Sequence, residues 1–243
     1  MSMKHSGVGL GLLLLGLLVV TAARAECDDR VDVPGQLHAC KAWPAQPGMS
    51  ISARATPMPG PEDADTRSYS LDVALVDGDS GWAVASNYKD SALFCDAVAV
   101  QGLQIDTARY RLNRAEQAFG LRVLYSHDSS AAPYEKSVLT LYRREDKELL
   151  PLLEELVVAE SSGEFGWEGQ CSGHSRAMRR TLQMGPGQRH GYADLIVRTR
   201  EIKTEHFKVG EGCDSRDLPA RNSTLTLHYD GVRYPIPDAL KGS

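Results

Sequence analysis

From Ser68 onward apolar and polar residues alternate with a period of two, and that alternation constrains the fold more than any other feature. Leu71, Val73 and Leu75 share one face, as do Phe119, Leu121, Val123 and Tyr125, and Leu139 with Leu141. Ala193, Leu195 and Val197 oppose Asp194, Arg198 and Arg200, and Leu225, Leu227 and Tyr229 alternate with Thr224, Thr226 and His228. A half-buried strand needs this pattern, because successive side chains point to opposite faces of a sheet. Turn residues punctuate it: Asp77-Gly78-Asp79-Ser80-Gly81 before a return strand from Trp82 to Tyr88, and Asp230-Gly231 before a strand over Val232–Ile236. Val98–Ile105 is a further strand. The expected fold is all-β, an antiparallel β-sandwich or partly open barrel over 68–243.

The stretch 26–67 reads as an irregular segment carrying part of a disulfide. Pro34, Pro44, Pro47, Pro57, Pro59 and Pro61 interrupt it, with one short strand at Met49–Ala55. In 149–158, Leu149, Leu150, Leu152, Leu153, Leu156 and Val157 fit a helical face as well as a strand. The β-branched pair Val157-Val158 favours strand. An outer-membrane barrel would need lipid-facing alternation over about 10 residues in every strand, and most runs here are shorter.

Residues 1–25 have the plan of a cleaved secretory signal peptide: Lys4 and His5, an apolar run from Val8 to Val20, and Ala23-Arg24-Ala25 as the cleavage site. The expected location is periplasmic or secreted, with no stable membrane span after cleavage. All five cysteines follow the signal, and export would place them where disulfides persist. Cys95 lies in the apolar stretch Ala92-Leu93-Phe94-Cys95 and is expected to stay free and buried. Cys27–Cys40 and Cys171–Cys213 are the expected bridges, although spacing alone leaves other pairings open.

Several chemistries find little support. A net charge of −5 argues against a nucleic-acid binder. His38-Ala39-Cys40 lacks the paired-ligand spacing of a zinc site, so no metal is expected. Asp77-Gly78-Asp79 departs from a calcium loop, with Gly81 and Tyr88 where ligands are required. Gly173-His174-Ser175 puts a base beside a hydroxyl, but strand neighbours point apart and no nucleophile motif accompanies them. Glu148, Glu154, Glu155, Glu160, Glu164 and Glu168 could offer paired carboxylates, and a solvated acidic face is the simpler account. No cofactor motif is present.

The informative contrast is in charge. That acidic run is followed by Arg176, Arg179, Arg180, Arg189, Arg198, Arg200 and Lys203, opposed over the same stretch by Asp194 and Glu201. If Arg176–Leu182 pairs with the strand carrying Arg198 and Arg200, guanidinium groups project together and can hold phosphate or carboxylate bidentately. The competing account is that these strands pair with the acidic segment and neutralise it.

Cys40-Lys41-Ala42-Trp43-Pro44-Ala45, Asp106-Thr107-Ala108-Arg109-Tyr110, Phe119-Gly120-Leu121-Arg122-Val123 and His190-Gly191-Tyr192-Ala193-Asp194-Leu195 resemble segments of uncharacterised exported bacterial β-rich proteins. The resemblance spans most of the chain after the signal. It implies export from a Gram-negative cell and brings no activity, cofactor or catalytic residue. The function expected is non-enzymatic binding of an envelope protein or an anionic glycan. An envelope hydrolase acting on cell-wall or lipid substrates, and a structural module assembling through a sheet edge, are the alternatives.

Overall fold

A computed structural model of the protein describes residue 27 and residues 31–60, 66–166 and 171–241. The signal segment 1–25 and Glu168 lie outside the described residues. The strands are β1 (Leu37–Ala42), β2 (Met49–Pro57), β3 (Arg67–Asp77), β4 (Ala83–Cys95), β5 (Ala99–Arg111) and β6 (Gln117–His127). They continue with β7 (Tyr134–Glu145), β8 (Glu148–Phe165), β9 (Gly173–Arg189), β10 (Tyr192–Val209), β11 (Gly212–Asp217) and β12 (Arg221–Leu227), and a short 3-10 turn follows at Asp238–Leu240.

The twelve strands form one all-β sheet that is not closed into a barrel. Its main path runs β1-β2-β3-β4-β8-β7-β6-β5, with β9 beside β8, and β10 beside β9, β11 and β12. The sheet is mixed rather than purely antiparallel, because β4 meets β8 in parallel through Ser86 opposite Glu148. Backbone and side-chain bonds reinforce that junction: Ser86 N–H donates to the Lys147 carbonyl at 3.0 Å, and Asn87 Nδ2 to the Leu149 carbonyl at 2.9 Å.

Two apolar cores follow from the alternation. One gathers Ile51, Leu71, Val73, Leu75, Leu121 and Val123 around Trp43, whose ring meets Phe119 edge-on at 5.4 Å. The other joins Leu139, Leu141, Leu152, Leu153 and Leu156 to Leu195, Val197 and Leu227. Strands β6 and β7 feed both cores, so their two faces are both apolar near the middle. The chain after β12 straps the second core: Tyr234 N–H donates to the Leu152 carbonyl at 2.6 Å, and its hydroxyl to the Ala193 carbonyl at 2.7 Å.

The segment 149–158 is strand, as its β-branched pair suggests. Three local expectations differ from the structure. The stretch 26–67 contributes β1 as well as β2, the strand expected at Met49–Ala55, because Pro44 and Pro47 fall in the loop between them and Pro57 ends the second. Val232–Ile236 is not a strand, since the Asp230 carboxylate caps the N–H groups of Val232 and Arg233 and Tyr234 is drawn to β8. Asp194 does not stand with Arg198 and Arg200: a register shift between Ala193 and Leu195 buries it, with His228 Nδ1 2.7 Å from its Oδ1.

Both expected disulfides are present. Cys27 joins Cys40 with a Cα separation of 5.5 Å, and Cys171 joins Cys213 at 4.7 Å. Cys95 is free and buried. Two disulfides suit an oxidising compartment, and no helix among the described residues is long and apolar enough to cross a membrane.

Candidate functional site: an arginine face on the β9–β10 hairpin

Antiparallel pairing of β9 with β10 sets Arg179 opposite Arg200, Arg198 opposite Thr181, and Arg180 opposite Thr199. The period of two then divides the six arginines expected to bind ligand into two inner residues, three outer ones and one at the hairpin tip.

Arg176 and Arg180 share the face of Met178, Val197 and Leu195, which is the inner face. Arg176 donates to Glu160 at 3.1 Å and to Glu201 at 3.0 Å, linking β8, β9 and β10. Glu160 is itself buried and accepts from the Tyr134 hydroxyl at 2.8 Å. The hydrogen bond and charge of Arg176, with help from Lys203 and Arg221, hold the Glu201 carboxyl below its usual range despite some burial. Burial and the Glu160 bond raise the Tyr134 hydroxyl.

Arg180 is buried and structural. One of its terminal nitrogens donates to the Val157 carbonyl and to the Leu240 carbonyl, both at 2.7 Å, and its Nε reaches Thr199 at 3.3 Å. Val158, beside the first of these carbonyls, is left unopposed by the shift that sets Val138 against Val157 but Ser137 against Ala159. The guanidinium therefore satisfies a carbonyl next to the bulge and anchors the 3-10 turn. Burial, and the like charge of Arg176, lower its affinity for its proton.

Arg179, Arg198 and Arg200 occupy the opposite, outer face and are exposed. None of the three makes an ion pair or side-chain hydrogen bond among the described residues. Around them stand Thr181, Asn222 and Thr224, opposite or one strand away in register. Arg189 sits apart, at the hairpin tip beside the His190-Gly191 turn. The acidic run and the basic hairpin thus neutralise each other on the inner face, through Arg176 and Glu160, and leave three outer arginines uncompensated. Like charges directly opposite each other on a strand pair are unfavourable, so the Arg179–Arg200 pair is an arrangement that an anion would relieve.

One register row crosses the sheet through this pair: Gly102, Leu124, Ser137, Ala159, Arg179, Arg200 and Asn222, on β5, β6, β7, β8, β9, β10 and β12. Small side chains at Ser137, Ala159, Ser161 and Ala177 open a trough of about 370 Å³ that ends at Arg179. The sequence reading missed this trough. Its only trace is a lack of bulk at the same register on neighbouring strands, which becomes visible once pairing is known.

The other expectations resolve simply. Ser175 does not meet its neighbour His174; its hydroxyl lies 2.9 Å from His206 Nε2 across the hairpin, and His174 faces Glu164 at 3.4 Å. Among the described residues no carboxylate contacts the second ring nitrogen of His206. Glu154 and Glu155 line a small cleft between β4 and β8, and Glu154 lies 3.9 Å from Arg233. Asp77 closes its turn by accepting from the Ser80 N–H and hydroxyl, each at 2.8 Å. Among the described residues no group of three or more His, Cys, Asp or Glu is placed to hold a metal ion.

No family model matches the chain, and no curated protein or solved structure matches it either.

Proposed function

We propose that this is an exported, non-enzymatic binding protein of the bacterial periplasm that recognises an anionic envelope component through the outer face of the β9–β10 hairpin. In this reading the sheet folds over its two cores as a sandwich and presents that face to solvent. The observation that carries it is the exposed Arg179–Arg200 pair with Arg198 beside it, uncompensated among the described residues in a protein of net charge −5. Guanidinium groups bind phosphate, sulfate and carboxylate through paired N–H donors. Thr181, Thr224 and Asn222 add neutral donors and acceptors suited to sugar hydroxyls.

The Ser175–His206 contact is the one observation that favours a hydrolase. It lacks an orienting carboxylate among the described residues, and neither residue lines the trough. Binding is therefore the better supported function.

Retention on immobilised dextran sulfate, with neutral dextran as control, tests the proposal. The protein is expected to bind the sulfated polymer only, more weakly as salt rises, and the double variant Arg198→Glu/Arg200→Glu should elute with the neutral control. Equal retention of that variant would remove the arginine face from the account.

A further inference from the structure

We propose that the trough and the arginines form one site for a single-chain phosphate lipid, the acyl chain lying across the strands and the phosphate resting on Arg179 and Arg200. This rests on the anionic-ligand reading above and names its ligand class. The trough and the arginines are contiguous in register, since Ala159 on β8 is directly opposite Arg179 and Arg179 directly opposite Arg200. Leu124, Ala159 and Ala177 give the trough apolar surface along a path normal to the strands.

From Leu124 to Arg179 that path crosses three strand spacings, about 14 Å in all, which suits the length of a medium acyl chain. The volume of about 370 Å³ is near the lower end of ligand pockets, which span roughly 300–1,000 Å³, so it accepts one chain rather than two. Charge orients the occupant. Glu135 lines the trough on β7, two strands from Arg179, and Glu160 is already engaged by Arg176 and Tyr134. Lys136 is held over the Tyr125 ring at 5.1 Å. Of the two cations that line the trough, Arg179 is therefore the one without a partner among the described residues, and an anionic head would settle at its end.

The experiment is calorimetric titration of the full chain with lauroyl glycerol phosphate below its micellar concentration, beside glycerol phosphate and monolauroyl glycerol. The intact lipid is expected to bind at least about tenfold more tightly than either part, because burying even two methylenes supplies that factor. Ala177→Phe, which fills the trough, should abolish the advantage of the chain and leave glycerol phosphate binding unchanged. Gln101→Trp, at the far exposed rim, should shorten the usable trough and weaken the lipid in the same sense. Equal affinity for the lipid and for glycerol phosphate, or no effect of either substitution, overturns the inference while leaving the arginine face in place. Failure of both the lipid and dextran sulfate to bind overturns the underlying reading as well.

Discussion

The two faces of the β9–β10 hairpin carry the same residue type in opposite circumstances. On the inner face, Arg176 and Arg180 are held by two glutamates, two backbone carbonyls and a threonine. On the outer face, Arg179, Arg198 and Arg200 have no such partners among the described residues. A shift of one residue along a strand separates a structural guanidinium from one open to ligand. The contrast teaches that composition alone misleads here: the basic hairpin is neither wholly neutralised nor wholly a binding surface, and strand parity decides which arginine does which.

The contrast can be broken most severely at Arg180. Arg180→Leu would strand the Val157 and Leu240 carbonyls, and is expected to cost about 3 kcal/mol, since each buried unsatisfied group costs about 1–3 kcal/mol. Urea unfolding measures it. A cost no larger than that of an outer arginine would mean that the inner contacts contribute little.

Arg176→Met should follow at about 2 kcal/mol, because it leaves the buried Glu160 with one donor fewer. The same unfolding titration checks it, and Arg176→Lys should recover only part of the loss because one ammonium cannot fork to both carboxylates.

Acid sharpens the contrast further. Glu201 is held low by Arg176. At Asp106, burial opposes ionisation, but hydrogen bonds from Arg122, the Ala108 N–H and Tyr110 outweigh it and the carboxyl is also lowered. Both groups ionise at lower pH in the folded chain than in the unfolded one. Their stabilisation is therefore complete above the unfolded value of about 4 and is lost as pH falls through the folded values. Unfolding free energy measured from neutral pH downward should fall in that window. In Arg176→Met the fall should be shallower, by the share that Glu201 contributes.

The smallest effect is the most discriminating. Arg200→Glu replaces a like-charged cross-strand pair by an opposite one, and is expected to raise stability by about 0.3 kcal/mol while abolishing anion binding. Thermal unfolding and dextran sulfate retention, measured on the same sample, should move in opposite directions. A variant that loses both stability and binding would show that Arg200 has structural duties too.

Much of the frame was legible in the residues. The alternation at Leu71–Leu75, at Phe119–Val123 and at Ala193–Val197 marks strands whose apolar side is buried, and the cysteine settings point to both bridges and to the free Cys95. The division of the arginines was legible too, had parity been followed: Arg180 alternates with Met178 and Leu182, which is an inward pattern, whereas Arg179 alternates with Ala177 and Thr181. Other features depend on contacts distant in sequence. Nothing local announces the parallel meeting of Ser86 with Glu148, the pairing of Asp194 with His228, or the docking of Tyr234 on Leu152. Prolines disguised β1 but not β2, because the residues that break a strand also serve as the turn between two strands.

The outer arginines are the part of the account on which function depends, and side-chain NMR reads them one by one. Guanidinium Nε–Hε signals of Arg179, Arg198 and Arg200 should shift together on titration with a sulfated disaccharide, while those of Arg176 and Arg180 stay where they are. Silence at all three outer arginines while the disaccharide binds elsewhere, or shifts confined to the inner pair, would contradict it.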